Sequence, residues 1–355
     1  MDKNSITGSE ESSSGQQHPN PREIIQICSS NLKINPKRYD LLACRASARL
    51  QLGDTQGALR DLNKTLIIKP DFISALNNRG LIKFAMRDYQ GALDDFNAAY
   101  SLDSELKEVI YNRANAFRAL DMFEEAIDNY TKAIYLCPTM KLAYFSRGLA
   151  KAEMGNPEAA LDDFNMAIDL DKSCARAYYE RGQVKYNLDD PRGAIIDYNS
   201  ALRVDPKFTD VYAGRGLAKI RVCEYKEAAE DFTHAIAVQP DCADNYCNRA
   251  VALFEQAEFD KALADCQKAI DLQPGNVAAW TNLGIIKNEI DLLADARVAF
   301  DRALELDPDY SLALYCSGLL YSELNDKVSA CKDLRRAGQL GMKVAFDAIR
   351  EIMAD

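Results

Sequence analysis

Apolar and polar positions alternate along this chain with the period of an α-helix, in stretches of about a dozen residues. Turn residues such as Gly53-Asp54, Gly155-Asn156 and Asp189-Asp190 separate them. The stretches come in pairs, and the pair recurs every 34 residues. Ala58 is followed at that interval by Ala92, Ala126, Ala160, Ala194, Ala228, Ala262, Ala296 and Ala330, nine alanines without an insertion or deletion. A second small column runs Ala46, Gly80, Ala114, Gly148, Gly182, Gly216, Ala250, Gly284, Gly318. Seven residues after each Ala58-type position stands Thr65 or one of Ala99, Ala133, Ala167, Ala201, Ala235, Ala269, Ala303 and Ala337. Between these lies a bulky column of Leu62, Phe96, Tyr130, Phe164, Tyr198, Phe232, Cys266, Phe300 and Leu334.

Small residues let two helix axes approach, and a large one beside them fills the remaining space. Pro157 and Pro191 each follow an Asn or Asp suited to an N-cap, and occupy the first helical position, where a missing N–H is harmless. The second helix of the pair is expected to end at Pro70, Pro138, Pro206, Pro240, Pro274 and Pro308, none of which can continue a helix. Each unit is therefore an antiparallel helix pair, and a fixed period of this length means a stack of such pairs.

These columns resemble the tetratricopeptide repeat family over almost the whole chain. In that family's register the units run 39–72, 73–106, 107–140, 141–174, 175–208, 209–242, 243–276, 277–310 and 311–344. The aromatic expected at position 4 is present as Tyr144, Tyr178, Tyr212, Tyr246 and Trp280. Ser104, Lys172 and Met342 replace the proline and are expected to blur those helix ends. The resemblance implies an all-α fold, a right-handed superhelical α-solenoid of antiparallel helix pairs. The expected organisation is a disordered polar tail over 1–21 and an N-terminal capping helix, a degenerate half repeat, over 22–38. Nine repeats follow over 39–344, and a C-terminal capping helix over 345–355, with Val344, Phe346, Ile349 and Ile352 on its apolar face.

Position 7 is arginine in seven successive repeats, from Arg45 through Arg79, Arg113, Arg147, Arg181 and Arg215 to Arg249. Sixteen residues on stand Asp61, Asp95, Asn129, Asp163, Asp197, Asp231 and Asp265. The eighth repeat loses both, as Leu283 and Ala299, and the ninth keeps Asp333 opposite Ser317. Paired loss points to contact between the columns, since an arginine fork satisfies a carboxylate bidentately. The competing reading is an anion-binding arginine ladder.

A formal charge of -11 repels phosphate backbones and anionic surfaces, which argues against nucleic acid and membranes as partners. Ten cysteines without a C-x-x-C pair, and no secretory signal pattern, point to a reducing cytoplasm. Two histidines, His18 and His234, and no phosphate loop, nucleophile elbow or zinc-spaced set leave no catalytic, metal or cofactor site to nominate. Asn63-Lys-Thr65 and Asn129-Tyr-Thr131 match glycosylation acceptors but fall within expected helices.

The family resemblance implies that the first helices line a concave face through positions 2, 5, 6, 9, 12 and 13. On that map Tyr111, Phe145 and Tyr179 share position 5, with Tyr186 and Arg118 nearby. Asn77, Asn78, Asn112, Asn115, Asn248, Asn282 and Asn288 supply amides suited to holding an extended backbone. Packing between repeats competes for the aromatics, and ordinary solvated surface for the asparagines. The mapped face carries nine acidic and three basic residues, which fits a basic partner segment. Co-chaperones of this family that clamp a chaperone's C-terminal carboxylate carry Lys at position 5. Here position 5 is Ala43, Asn77, Tyr111, Phe145, Tyr179, Ala213, Cys247, Thr281 and Tyr315, so that clamp is not expected. The chain reads as a non-enzymatic scaffold or adaptor holding a basic or apolar linear peptide, or a helical segment, of a protein partner. The alternative is a structural subunit that docks through its ends or convex face.

Overall fold

The turn within each helix pair is built on one strained residue. Gly53, Arg87, Asp121, Gly155, Asp189, Cys223, Ala257, Asp291 and Asn325, spaced by 34, all have φ between 57° and 83°. Only two are glycine, the residue that adopts this conformation freely. The second helix then starts on a side-chain cap in several repeats: the Gly57 N–H donates to Asp54 at 2.8 Å, and the Gly193 N–H to Asp190 at 2.8 Å.

The computed structural model describes residues 20–354, and among them every regular element is an α-helix, with no strand. The expected tail and His18 lie outside the described residues, apart from Asn20, which caps the first helix, and Pro21, which begins it. The chain divides into two compact units, 1–156 and 157–355. The first contains α1 (Pro21–Ile34), α2 (Tyr39–Gln51), α3 (Thr55–Ile68), α4 (Ile73–Ala85), α5 (Tyr89–Leu102), α6 (Lys107–Ala119), α7 (Phe123–Leu136) and α8 (Lys141–Glu153). The second opens with α9 (Pro157–Leu170), α10 (Ala175–Asn187), α11 (Pro191–Val204), α12 (Asp210–Arg221), α13 (Tyr225–Val238) and α14 (Ala243–Phe254). It continues with α15 (Phe259–Leu272), α16 (Val277–Glu289), α17 (Leu293–Leu306), α18 (Ser311–Glu323), α19 (Lys327–Gln339) and α20 (Val344–Ala354).

Within each unit the second helices pack on the first helices that flank them in that unit. First helices also touch the first helices beside them, as α2 does α4 and α14 does α16. Second helices touch no other second helix among the described residues. This asymmetry makes the first helices the inner, tighter wall of each unit.

The alanine column is the tightest contact: all nine residues from Ala58 to Ala330 are completely buried. The bulky column beside it, Leu62 to Leu334, is at most 2% exposed, and burying one such side chain stabilises by roughly 1.5–3 kcal/mol. The glycines facing it leave no room for a methyl group. A Cβ on Gly80 would stand 2.6 Å from the Phe96 ring, and one on Gly284 2.5 Å from Phe300.

One expectation is corrected. Without proline, α5 and α9 still end at Leu102 and Leu170, in register with helices followed by proline. Ser104 and Lys172 do not blur these ends, because the packing of the next repeat, not proline, stops the helix.

Candidate binding surface

The arginine and aspartate columns meet. Asp61, Asp95, Asp197, Asp231 and Asp265 each accept two hydrogen bonds from the arginine sixteen residues earlier, at 2.5–2.9 Å. Each arginine also reaches sixteen residues backward. Arg79, Arg181 and Arg215 donate to Asn63, Asn165 and Asn199 on the preceding second helix at 2.6–3.0 Å, and Arg249 donates to Thr233 at 3.0 Å. Arg45 does the same to Ser29 of α1 at 3.0 Å, so α1 stands where a preceding repeat's second helix would. One guanidinium thus joins three helices and fixes their register.

A second cation, invisible in the sequence columns, grips several of the same carboxylates. Arg49 lies 2.8 Å from Asp61, Lys83 2.9 Å from Asp95, Lys185 2.8 Å from Asp197 and Lys219 2.8 Å from Asp231. All four occupy position 11; their spacing of 34 was readable, but their target was not. In the seventh repeat Leu253 stands there, leaving Asp265 with Arg249 alone. The hydrogen bonds that Arg249 donates to Asp265 hold it above its ordinary pKa, as those to Asp61 do Arg45. The position 4 aromatics lie beneath these arginines, with Tyr178, Tyr212 and Tyr246 ring centres 5.5–5.8 Å from the guanidinium carbons.

The aromatic candidates on the inner wall are half committed to packing. Tyr111 is half-buried, its ring 5.8 Å from Tyr130 and its hydroxyl 3.3 Å from Ser146 Oγ. Tyr179 packs 6.0 Å from Tyr198 and 5.0 Å from Phe208, and its hydroxyl accepts from the Gln183 amide. Burial pushes both Tyr130 and Tyr179 hydroxyls up from their ordinary pKa. Phe145 is half-buried. Tyr186 lies under the Arg221 guanidinium at 5.6 Å.

Several amides are engaged too. The Asn112 amide donates to Asn77 at 2.9 Å, linking α6 to α4. Asn115 accepts from the Tyr130 hydroxyl at 2.6 Å, and the Asn282 amide donates to Cys247 Sγ at 3.2 Å. Asn78 and Asn248 are half-buried and make no side-chain hydrogen bond among the described residues. Asn288 on α16 carries a buried carbonyl oxygen with no hydrogen-bond partner among the described residues, an acceptor awaiting a donor.

The charges sort similarly. Arg118 donates to Glu153 at 2.9 Å, Arg176 to Glu180 at 3.1 Å, and Arg221 to Asp189. Arg38 holds the Asp40 carboxyl down at about 2. Glu255, which caps the end of α14, and Glu289 and Glu323, the last residues of α16 and α18, recur at one repeat position, all exposed and without a cationic partner among the described residues. Among the described residues no group of three His, Cys, Asp or Glu could hold a metal ion, and no helix is long and apolar enough to cross a membrane.

Comparisons agree with this architecture. A family model described as Tetratricopeptide repeat matches residues 108–140 and 243–276, and a second of the same description matches 145–208. The C-terminal part of a TPR repeat-containing protein from Cytophaga hutchinsonii superposes with a TM-score of 0.56 at 19% identity, over 67% of this chain and 98% of that one. A chain from a crystal structure of the APC/C hetero-tetramer Cut9-Hcn1 gives a TM-score of 0.54 at 18% identity, over 75% of this chain and 52% of that one. YrrB, titled a TPR protein with an unusual peptide-binding site, gives a TM-score of 0.48 at 24% identity, over 52% of this chain and 95% of that one. No curated protein sequence matches. The chain is a tetratricopeptide repeat protein.

Proposed function

We propose that this chain is a non-enzymatic, cytoplasmic adaptor that holds a linear or helical segment of a protein partner against its first helices. The organisation behind this reading is nine repeats, 39–344, between single-helix caps. The observation that carries it is the ladder of Glu255, Glu289 and Glu323. Three carboxylates without cations are lined up one repeat apart on adjoining helices, with the orphan acceptor of Asn288 beside them. Such a row suits a segment with basic residues at matching intervals, and unpaired rim charges mainly set on-rate and salt sensitivity. Apolar anchors of a partner would meet Tyr111 and Phe145 in the first unit or Tyr179 in the second, whose exposed parts offer rigid contact area.

A second reading, a structural subunit docking through its convex face or ends, draws on exposed apolar side chains away from the first helices. Ile67, Tyr135 and Val328 on second helices are 80–83% exposed, Ile34 on α1 is 85% exposed, and Met353 on α20 is 70% exposed. Site-specific photo-cross-linking from first-helix and second-helix positions separates the two.

A further inference from the structure

The third repeat breaks the ion-pair column in a way that leaves charge over. Arg113 faces Asn129 instead of an aspartate: its Nε and NH2 donate to the amide oxygen at 2.8 and 2.5 Å. An amide satisfies the hydrogen bonds but does not neutralise the guanidinium. Phe117 takes the position where Arg49, Lys83, Lys185 and Lys219 add a second cation elsewhere. Arg113 lies instead over the Tyr100 ring, 3.6 Å from its centre, with Phe117 at 5.8 Å. Lys132 also donates to the Tyr100 hydroxyl at 2.7 Å, its ammonium 4.7 Å from the same ring centre. Neither cation has a carboxylate within ion-pair distance among the described residues. In Arg79, Arg181 and Arg215 the NH1 nitrogen donates to an asparagine of the preceding second helix; no such bond forms from Arg113 among the described residues. Burial pushes the Arg113 guanidinium down, opposite to the carboxylate-paired Arg45 and Arg249, and the two cations pull the Tyr100 hydroxyl down.

We propose that Arg113 and Lys132, framed by Tyr100 and Asn129 between α5, α6 and α7, form a binding site for one oxyanion of a partner segment, a carboxylate or a phosphorylated side chain. The guanidinium of Arg113 and the ammonium of Lys132, which keeps two donors beyond the one given to the Tyr100 hydroxyl, both lie against the same ring. A half-buried guanidinium is suited to an oxyanion because its planar fork matches two oxygens at once. This site lies on the second-helix side and is independent of the carboxylate ladder on the inner wall. On this reading Arg113, which still ties α6 to α7 through Asn129, serves recognition as well as register.

The test follows the Arg113 Nε–H resonance by NMR while inorganic phosphate, phenyl phosphate or a hexaglutamate peptide replaces chloride at constant ionic strength. Asn129→Asp rebuilds the pair found in five other repeats, so it keeps the fold while filling the site from within. Lys132→Gln removes one cation from the rim. A saturable shift with a phosphate probe or with the peptide is expected, and which of them binds more tightly distinguishes phosphorylated from acidic partners. Either substitution should weaken binding about ten- to a hundredfold, as expected for losing a hydrogen bond to a charged group. No shift with any probe, or unchanged affinity in both variants, would overturn the assignment.

Discussion

Removing Arg249 should damage this protein more than removing any doubly gripped arginine. Asp265 is only 9% exposed at its side chain, and its two oxygens accept from Arg249 at 2.7 and 2.8 Å with no second cation within ion-pair distance among the described residues. Taking away one member of a buried pair costs about 3–5 kcal/mol, because the remaining charge is left desolvated. Arg249→Ala is therefore expected to cost about 4 kcal/mol. Asp197 keeps Lys185 at 2.8 Å when Arg181 is removed, so Arg181→Ala should cost about half as much. Adding Asp265→Ala to Arg249→Ala removes the stranded carboxylate and should recover about 2 kcal/mol. Urea unfolding followed by circular dichroism gives the global values, and hydrogen exchange across α13–α15 gives the local ones. Equal losses for Arg249→Ala and Arg181→Ala, or strict additivity of the Arg249/Asp265 cycle, would refute the reasoning.

Other consequences are as direct. Ala257 sits at φ 57° in the left-handed region, so Ala257→Gly should raise stability by about 1 kcal/mol, read as a shift in urea midpoint. A lower midpoint would show that the turn is not strained. Asp333 has Ser317 Oγ at 2.8 Å in place of an arginine, and burial raises its carboxyl pKa above the ordinary 3.8. A raised carboxyl binds protons more tightly when folded, so this group's stabilising contribution is present below pH 3.8 and lost as pH rises through the folded value. Asp333→Asn should therefore flatten the pH dependence of the last repeat's hydrogen exchange from pH 3.8 upward, and an unchanged profile would contradict the assignment.

Columns spaced by 34 made the helix pairs, their buried faces and the Arg–Asp contacts readable, because each depends on residue type at a fixed step. Arg45 to Asp61 is a contact within one unit, and paired loss at Leu283 and Ala299 betrayed it. The backward reach of Arg79 to Asn63 was not legible, since it crosses from one repeat to the preceding one and its acceptor varies between asparagine, threonine and serine. Nor was the turn strain, which falls on Arg87, Cys223 and Ala257 where glycine would be the signal. On the binding surface the residue types were legible but their commitments were not. Tyr111 and Tyr179 occupy mapped positions yet pack on Tyr130 and Tyr198, so replacing them with Ala disturbs the core as well as the wall. Glu255, Glu289 and Glu323 share their repeat position with Glu153, which Arg118 pairs, and three-dimensional placement decides the difference.

The central claim, that the partner lies along the first helices, is tested most directly by where it cross-links. A photoreactive residue would replace Asn78 or Asn248 on the first helices, or Ile67 or Tyr135 on the second helices, in the full chain. Peptides of the partner should be captured from the first two positions, and basic residues of that partner should fall opposite Glu255, Glu289 and Glu323. Capture from Ile67 and Tyr135 with none from Asn78 and Asn248 would contradict the account and favour docking through the outer face.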